Sequence, residues 1–181
     1  MRKSRSDGME MIMHKPVELV SYDPQWPQAF LRIHDKLLTW VPQALSIDHI
    51  GSTSIPGMTA KPLIDIDIVV PGLEHIEDAT RVLLSQDYEP RGNRYDGEVW
   101  AFLSRGSEPA ERVYLCPAGN RTHRNRLAFR DYLIAHPQAA TDYAALKHRL
   151  AAEFRMDGDR YTAEKREFVD TIVMQALTGS R

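Results

Sequence analysis

Asp65 and Asp67 stand two residues apart in the run Leu63 to Val70. That run is short, rich in β-branched residues and bounded by Pro62 and by Pro71-Gly72, which predicts a strand. Side chains alternate across a strand, so both carboxylates fall on one face and Ile64, Ile66 and Ile68 on the other, where a core can take them. Adjacent carboxylates repel each other and call for a cation between them or for full solvation. Hard oxygen donors of this kind suit Mg²⁺ (or Mn²⁺), and Mg²⁺ commonly combines one or two carboxylates with substrate phosphates.

Upstream lies the turn Gly51-Ser52-Thr53, preceded by the apolar Ile50. A glycine lets the backbone approach a phosphate closely, Ser52 and Thr53 add hydroxyls, and the amides of such a turn can form a concavity for anions. The 12 residues 53 to 64 separate Ser52 from Asp65. Lys61 precedes the acidic strand and can neutralise a phosphate oxygen as a point charge. No Gly-Lys-Ser/Thr and no Gly-x-Gly-x-x-Gly is present, so neither a P-loop nor a dinucleotide fingerprint applies. The competing explanation is that Asp-Ile-Asp marks the solvated face of a half-buried sheet and that Lys61 is a solvated loop residue. His49, just before the turn, is read as orienting the loop through a hydrogen bond.

A hydrophobic-Gly-Ser turn, a spacer, and Asp-hydrophobic-Asp-hydrophobic resemble the signature of the nucleotidyltransferase superfamily, in which the turn holds nucleotide phosphates and the acids hold metal. The blocks His49-Ile50-Gly51-Ser52-Thr53-Ser54-Ile55-Pro56-Gly57-Met58 and Ala60-Lys61-Pro62-Leu63-Ile64-Asp65-Ile66 narrow this to a resemblance to the GrpB family, which also occurs fused to dephospho-CoA kinases. Tyr22-Asp23-Pro24-Gln25-Trp26-Pro27, Phe129-Arg130-Asp131-Tyr132-Leu133 and Tyr143-Ala144-Ala145-Leu146-Lys147 agree with it, and it covers about residues 17 to 177. The resemblance implies a metal-dependent transfer centred on Asp65 and Asp67, with Gly51, Ser52, Thr53, Lys61, Arg130 and Lys147 on the phosphates. Lys165 and the cluster Arg121, Arg124 and Arg126 are further cations. Arg130 suits a bidentate grip, with a surface pair to Asp131 as the alternative. Two-metal sites generally use a third carboxylate, for which Glu98 and Glu111 are the candidates. Tyr114 and Cys116 stand where the family often has histidines. Cys116 has no local histidine or helix start to activate it as a nucleophile.

The positioning elements follow from periodicity. Trp26, Phe30, Ile33, Leu37 and Val41 form one helical stripe, with Asp23 as N-cap and Pro24 at the first helical position. Val17 to Val20 reads as an edge strand, and Ser46 to Ile50 as the strand feeding the turn. Leu73 to Leu83 is a second helix, residues 88 to 96 are irregular, and Val99 to Ser104 and Arg112 to Cys116 are strands. Leu127 to Ala135 is a helix. Another carries Tyr143, Leu146, Leu150 and Phe154; Gly158 breaks it, and Thr162 caps a last one with Phe168, Ile172, Val173 and Ala176 buried. The fold class is α+β: a small mixed sheet with packed helices and a helical C-terminal portion.

At 181 residues the chain suits one domain over 16–181, behind a disordered leader over 1–15 in which Met9, Met11 and Met13 are alternative starts. A net charge of −2 argues against coating nucleic acid through bulk charge. One cysteine rules out an internal disulfide and fits a reducing cytoplasm, and no apolar run is long enough to span a membrane. Three readings stay open. The first is a metal-dependent nucleotidyltransferase using a nucleoside triphosphate and an unidentified small-molecule or protein acceptor. The second is a module of the same fold that holds a nucleotide or CoA-like ligand without turnover. The third, least favoured, is a nucleic-acid binder using the arginine cluster.

Overall fold

The computed structural model describes residues 16–93 and 97–179; the leader expected over 1–15 lies outside the described residues. Five strands form one mixed sheet: β1 (Ser46–Ile50), β2 (Leu63–Val70), β3 (Glu89–Asn93), β4 (Trp100–Ser104) and β5 (Ala110–Pro117), in the spatial order β1-β2-β5-β4-β3. β2 runs antiparallel to β1 and parallel to β5, and the rest of the sheet is antiparallel. The acidic strand is therefore interior, paired on both edges.

Alternation along β2 divides the sheet into two faces. Ile64, Ile66, Ile68 and Val70 pack against α1 (Trp26–Trp40) and α2 (Ile76–Ser85), together with Leu37, Val41, Ala79, Leu83 and Phe102. Ile64, Ile66 and Ile68 are fully buried, and each such side chain contributes roughly 1.5–3 kcal/mol relative to exposure. The opposite face carries Asp65 and Asp67, with Val69, Tyr114, Ala101 and Cys116 packed beyond them under Leu127 of α3 (Arg121–Ala135). α4 (Pro137–Glu153), α5 (Gly158–Ala163) and α6 (Arg166–Thr178) complete the chain. Instead of lying flat on the sheet, α3, α4 and α6 clasp the loop after β1: Ile55 and Met58 pack with Phe129, Leu133, Tyr143, Ile172 and Val173.

The expected α+β architecture is observed, with local corrections. Residues 88 to 96 are not irregular throughout, because Glu89–Asn93 is an edge strand whose register shifts between Pro90 and Asn93. Val17 to Val20 contributes only a bridge from Val20 to Ala60. α1 begins at Trp26 rather than Pro24; Asp23 still serves its start, its Oδ1 accepting from the Gln25 N–H at 2.8 Å. α3 begins six residues before Leu127 because Asn120 caps it, accepting from the His123 N–H at 3.2 Å. Gly158 opens α5, with Asp157 as its cap, and Thr162 lies inside α5, donating to the Gly158 carbonyl, so it caps nothing.

Candidate phosphate site at the end of the acidic strand

Gly51 closes β1 and turns the chain with φ +72°, a conformation that side chains rarely adopt. A Cβ there would also meet Asp65 Oδ2 at 2.8 Å and Asp65 Cβ at 3.1 Å. The glycine thus brings the turn backbone against the first aspartate. Gly51→Ala is expected to cost about 1–3 kcal/mol through backbone strain, and more in function because Asp65 is displaced. Comparing the melting temperature with phosphate affinity checks this; a variant that binds normally when folded would make the glycine purely architectural.

The loop is tied down from several sides. Ser52–Ser54 form one 3₁₀ turn. The Thr53 hydroxyl is buried, donates to the Leu63 carbonyl at 3.3 Å and lies 3.0 Å from His49 Nε2. His49 stacks on Phe30, 4.7 Å between ring centroids, and burial together with nearby Arg130 pushes its pKa down to about 4, so the ring is neutral. Thr53 and His49 orient the loop. Arg130 donates to the His49 carbonyl at 2.9 Å and pairs with Asp131 at 2.7 Å, bracing the end of β1.

Beneath Ser52 sits Lys147, on α4 and 1% exposed. Its ammonium donates to Ser52 Oγ at 3.0 Å and to the Thr59 carbonyl. Burial first, and then the charge of Lys165, lower its pKa to about 7. Lys165 is lowered to about 8 by burial and by Lys61, with Arg112 acting the same way and Asp65 opposing. Lys61 is lowered too, by burial and Arg112. Both Lys61 and Lys165 rest on the ring of Tyr161, at 4.7 and 4.2 Å from its centroid. Lys61 from the loop, Arg112 from β5, Lys147 from α4 and Lys165 just before α6 thus gather four cations, and the pKa of each lysine is lowered by burial and by neighbouring positive charge, an arrangement that a bound polyanion would relieve.

The two aspartates share a face but not an environment. Asp65 is partly exposed, with Arg112 Nη1 at 3.4 Å from Oδ1. Its pKa is raised, burial outweighing the surrounding cations. Asp67 is fully buried and both of its oxygens are taken: Arg126 Nη1 lies 2.5 Å from Oδ1 and His123 Nδ1 3.0 Å from Oδ2. The Arg126 guanidinium also stacks over Tyr114, 3.9 Å from the ring centroid. As arranged, the pair does not fit a divalent ion held between two carboxylates, since both oxygens of Asp67 are taken and only Asp65 is partly exposed.

Neither candidate for a third acid joins them. Glu111 points to the other face of the sheet, where Lys36 and the Tyr88 hydroxyl bind it. Glu98 is exposed in the loop before β4, its carbonyl accepting from Asn120. The acid that the sheet does bring alongside is Asp48, cross-strand partner of Asp67 and 3.6 Å from His123 Nε2. Its place on the Ser46 and Ile50 face of β1, alternating with Ile47 and His49, was the available sequence signal. His123 had none, and Arg126 was legible only as one of a basic cluster, because helix α3 delivers them to Asp67 from 56 and 59 residues away. Cys116 is buried and its thiol pushed up to about 12, which suits an inert core residue. Among the described residues no helix is long and apolar enough to cross a membrane.

Known proteins place this architecture. YqkA of Bacillus subtilis, a UPF0157 protein, is 35% identical over 158 residues, covering 87% of this chain and 46% of its own length. A dephospho-CoA kinase of Mycolicibacterium paratuberculosis is 35% identical over 175 residues, 82% of this chain and 42% of that protein. The chain therefore spans less than half the length of each. Among solved structures, the GrpB protein of Enterococcus faecalis superposes with TM-score 0.80 at 28% identity, over 90% of this chain and 98% of that one. Cid1 in complex with the UTP analogue UMPNPP is a distant match, TM-score 0.49 at 10% identity, over 70% of this chain and 40% of that one. The GrpB family model matches residues 16–175, and the chain belongs to the GrpB family.

Proposed function

We propose that this protein binds a nucleoside triphosphate through its phosphates, at the Gly51-Ser52 turn and the cations Lys61, Arg112, Lys147 and Lys165, and holds it for nucleotidyl transfer. The observation that carries the reading is geometric: buried Lys147 donates to Ser52 Oγ at 3.0 Å, and Lys61 and Lys165 are gathered on the Tyr161 ring, with burial lowering the pKa of all three lysines. Ser52 Oγ, positioned by Lys147, meets a phosphate oxygen; Lys61, Lys165 and Arg112 offset its charge. In the transfer, an acceptor oxygen bonds to the α-phosphorus, the bond from that phosphorus to the bridging oxygen breaks, pyrophosphate leaves, and the acceptor proton passes to solvent. Mg²⁺ or Mn²⁺ usually accompanies such nucleotides, but the residues as arranged do not form its site.

The test is a titration of nucleoside, mono-, di- and triphosphate into the protein, with pyrophosphate release followed in the presence of small-molecule and protein acceptors. Affinity rising with each phosphate is expected. Equal affinity across the series, or none, would sink the phosphate reading.

A second reading, the same site holding a nucleotide or CoA-like ligand without turnover, is favoured by Asp67, whose carboxylate is committed to Arg126 and His123. Binding without pyrophosphate release, whatever the acceptor, selects it.

Affinity should also depend on pH. Lys147 holds its proton below about 7 and loses it above. Anion binding favours the protonated form, so triphosphate affinity is expected to fall as pH rises from 7 to 9, with proton uptake visible in the buffer dependence of the binding heat. A flat profile would remove the lysines from the phosphate site.

A further inference from the structure

We propose that Arg126 is a resident counter-ion for Asp67 that keeps divalent metal off this carboxylate, so that the site grips phosphates with side-chain cations alone. The second half of this inference rests on the phosphate-binding reading above; the first half does not.

Arg126 is a built part of the site. Asn120 fixes the start of α3 twice, by capping the His123 amide at 3.2 Å and by donating to the Glu98 carbonyl at 3.4 Å. His123 and Arg126 follow three residues apart, so one helix face presents both to the sheet. Arg126 is held from two sides, by Asp67 Oδ1 at 2.5 Å and by the Tyr114 ring at 3.9 Å. Tyr114 is the cross-strand partner of Asp67 on β5, so ring and carboxylate stand side by side beneath the same guanidinium. His123 occupies the second oxygen and links it to Asp48.

A planar, weakly hydrated guanidinium suits this buried, stacked position as an ammonium does not. A divalent ion reaching Asp67 would have to displace Arg126 and leave it buried without its carboxylate, which is strongly unfavourable. Of the two β2 aspartates only Asp65 is partly exposed, and its cationic surroundings also repel a metal ion.

The test uses Mn²⁺ alone, its free concentration read by electron paramagnetic resonance. The native protein is expected to leave Mn²⁺ free up to millimolar concentrations. Arg126→Gln should gain at least tenfold in Mn²⁺ affinity, Arg126→Lys should remain close to native, and Asp67→Asn added to Arg126→Gln should abolish the gain. Native protein that takes up Mn²⁺ and loses it with Asp67→Asn overturns the proposal, as does a folded Arg126→Gln that gains nothing.

Should Arg126→Gln fail to fold, tripolyphosphate titrated into the native protein decides. Affinity in EDTA at least equal to that in excess Mg²⁺ is expected, and a tenfold loss in EDTA overturns the proposal. Absence of tripolyphosphate binding under both conditions overturns the phosphate reading instead and leaves the Mn²⁺ result standing.

Discussion

Asp67→Ala is expected to destabilise the protein by about 3–5 kcal/mol, the usual cost of removing one partner from a buried ion pair. For a chain of this size that corresponds to a fall in melting temperature on the order of 10 °C. The energy lost is chiefly that of stranding what remains: Arg126 at 16% side-chain exposure and His123 at 12%, both aimed at a carboxylate that is gone. Asp65→Ala is the internal control. Its partner Arg112 is 39% exposed and 3.4 Å away, a pair worth roughly 0–1 kcal/mol. Thermal melts of the two variants side by side measure the difference. Equal losses would mean that the two aspartates are equivalent and that Asp67 is no more structural than Asp65.

Lys147→Met should separate binding from folding. We expect triphosphate affinity to drop at least tenfold while the melting temperature stays within a few degrees of native. The two effects on stability oppose each other. The native ammonium is buried and its pKa is lowered, so the unfolded chain binds the proton more tightly between about pH 7 and the ordinary lysine value, and stability contributed at this position rises with pH across that window. Methionine fills similar space and removes that penalty. Against this, Ser52 Oγ and the Thr59 carbonyl each lose a donor, which costs roughly 1–3 kcal/mol where the group stays unsatisfied. Function has no such compensation, because Ser52 loses its ammonium partner and keeps only the Tyr143 hydroxyl. Calorimetric titration with tripolyphosphate, paired with a thermal melt, reads both quantities. Unchanged affinity would place Lys147 in the fold alone.

The strands that frame the turn were legible because their physics is local. β1 and β2 alternate or run apolar between turn residues, and the same-face relation of Asp65 and Asp67 follows from backbone geometry. β3 was missed because all five of its residues are exposed, which leaves no apolar pattern to read. The start of α3 was missed because its first turns, Arg121 to Arg126, face the acidic side of the sheet and carry polar residues where a core stripe would show. For the same reason Arg126 read only as one of a basic cluster, and the pairing of Asp67 with it and with His123 was invisible. Nothing in the neighbourhood of residue 67 says that a helix begun at Asn120 will cover it. A carboxylate pair was inferred to need a cation, and that was sound electrostatics; that the protein supplies one of its own is a tertiary fact. Lys147 and Ser52, 95 residues apart, are a gentler case, since their blocks carried the family resemblance even though no periodicity connects them.

The fastening of the loop between β1 and β2 has a kinetic corollary. A stretch of irregular chain beside the outer strand of a sheet is ordinarily an early target for proteases and quick to exchange its amide hydrogens. Here the Ala60 amide and carbonyl are both bonded to Val20, the Thr59 carbonyl is held by Lys147, Thr53 is tied to Leu63, and Ile55 and Met58 are buried under three helices. The amides of Met58 and Ala60 should therefore exchange as slowly as those of the strands, and opening the loop should require much of the helical layer to come away. A ligand arriving at the turn would meet a surface already in its bound shape, so its capture should be governed by diffusion and charge steering rather than by waiting for the chain to rearrange.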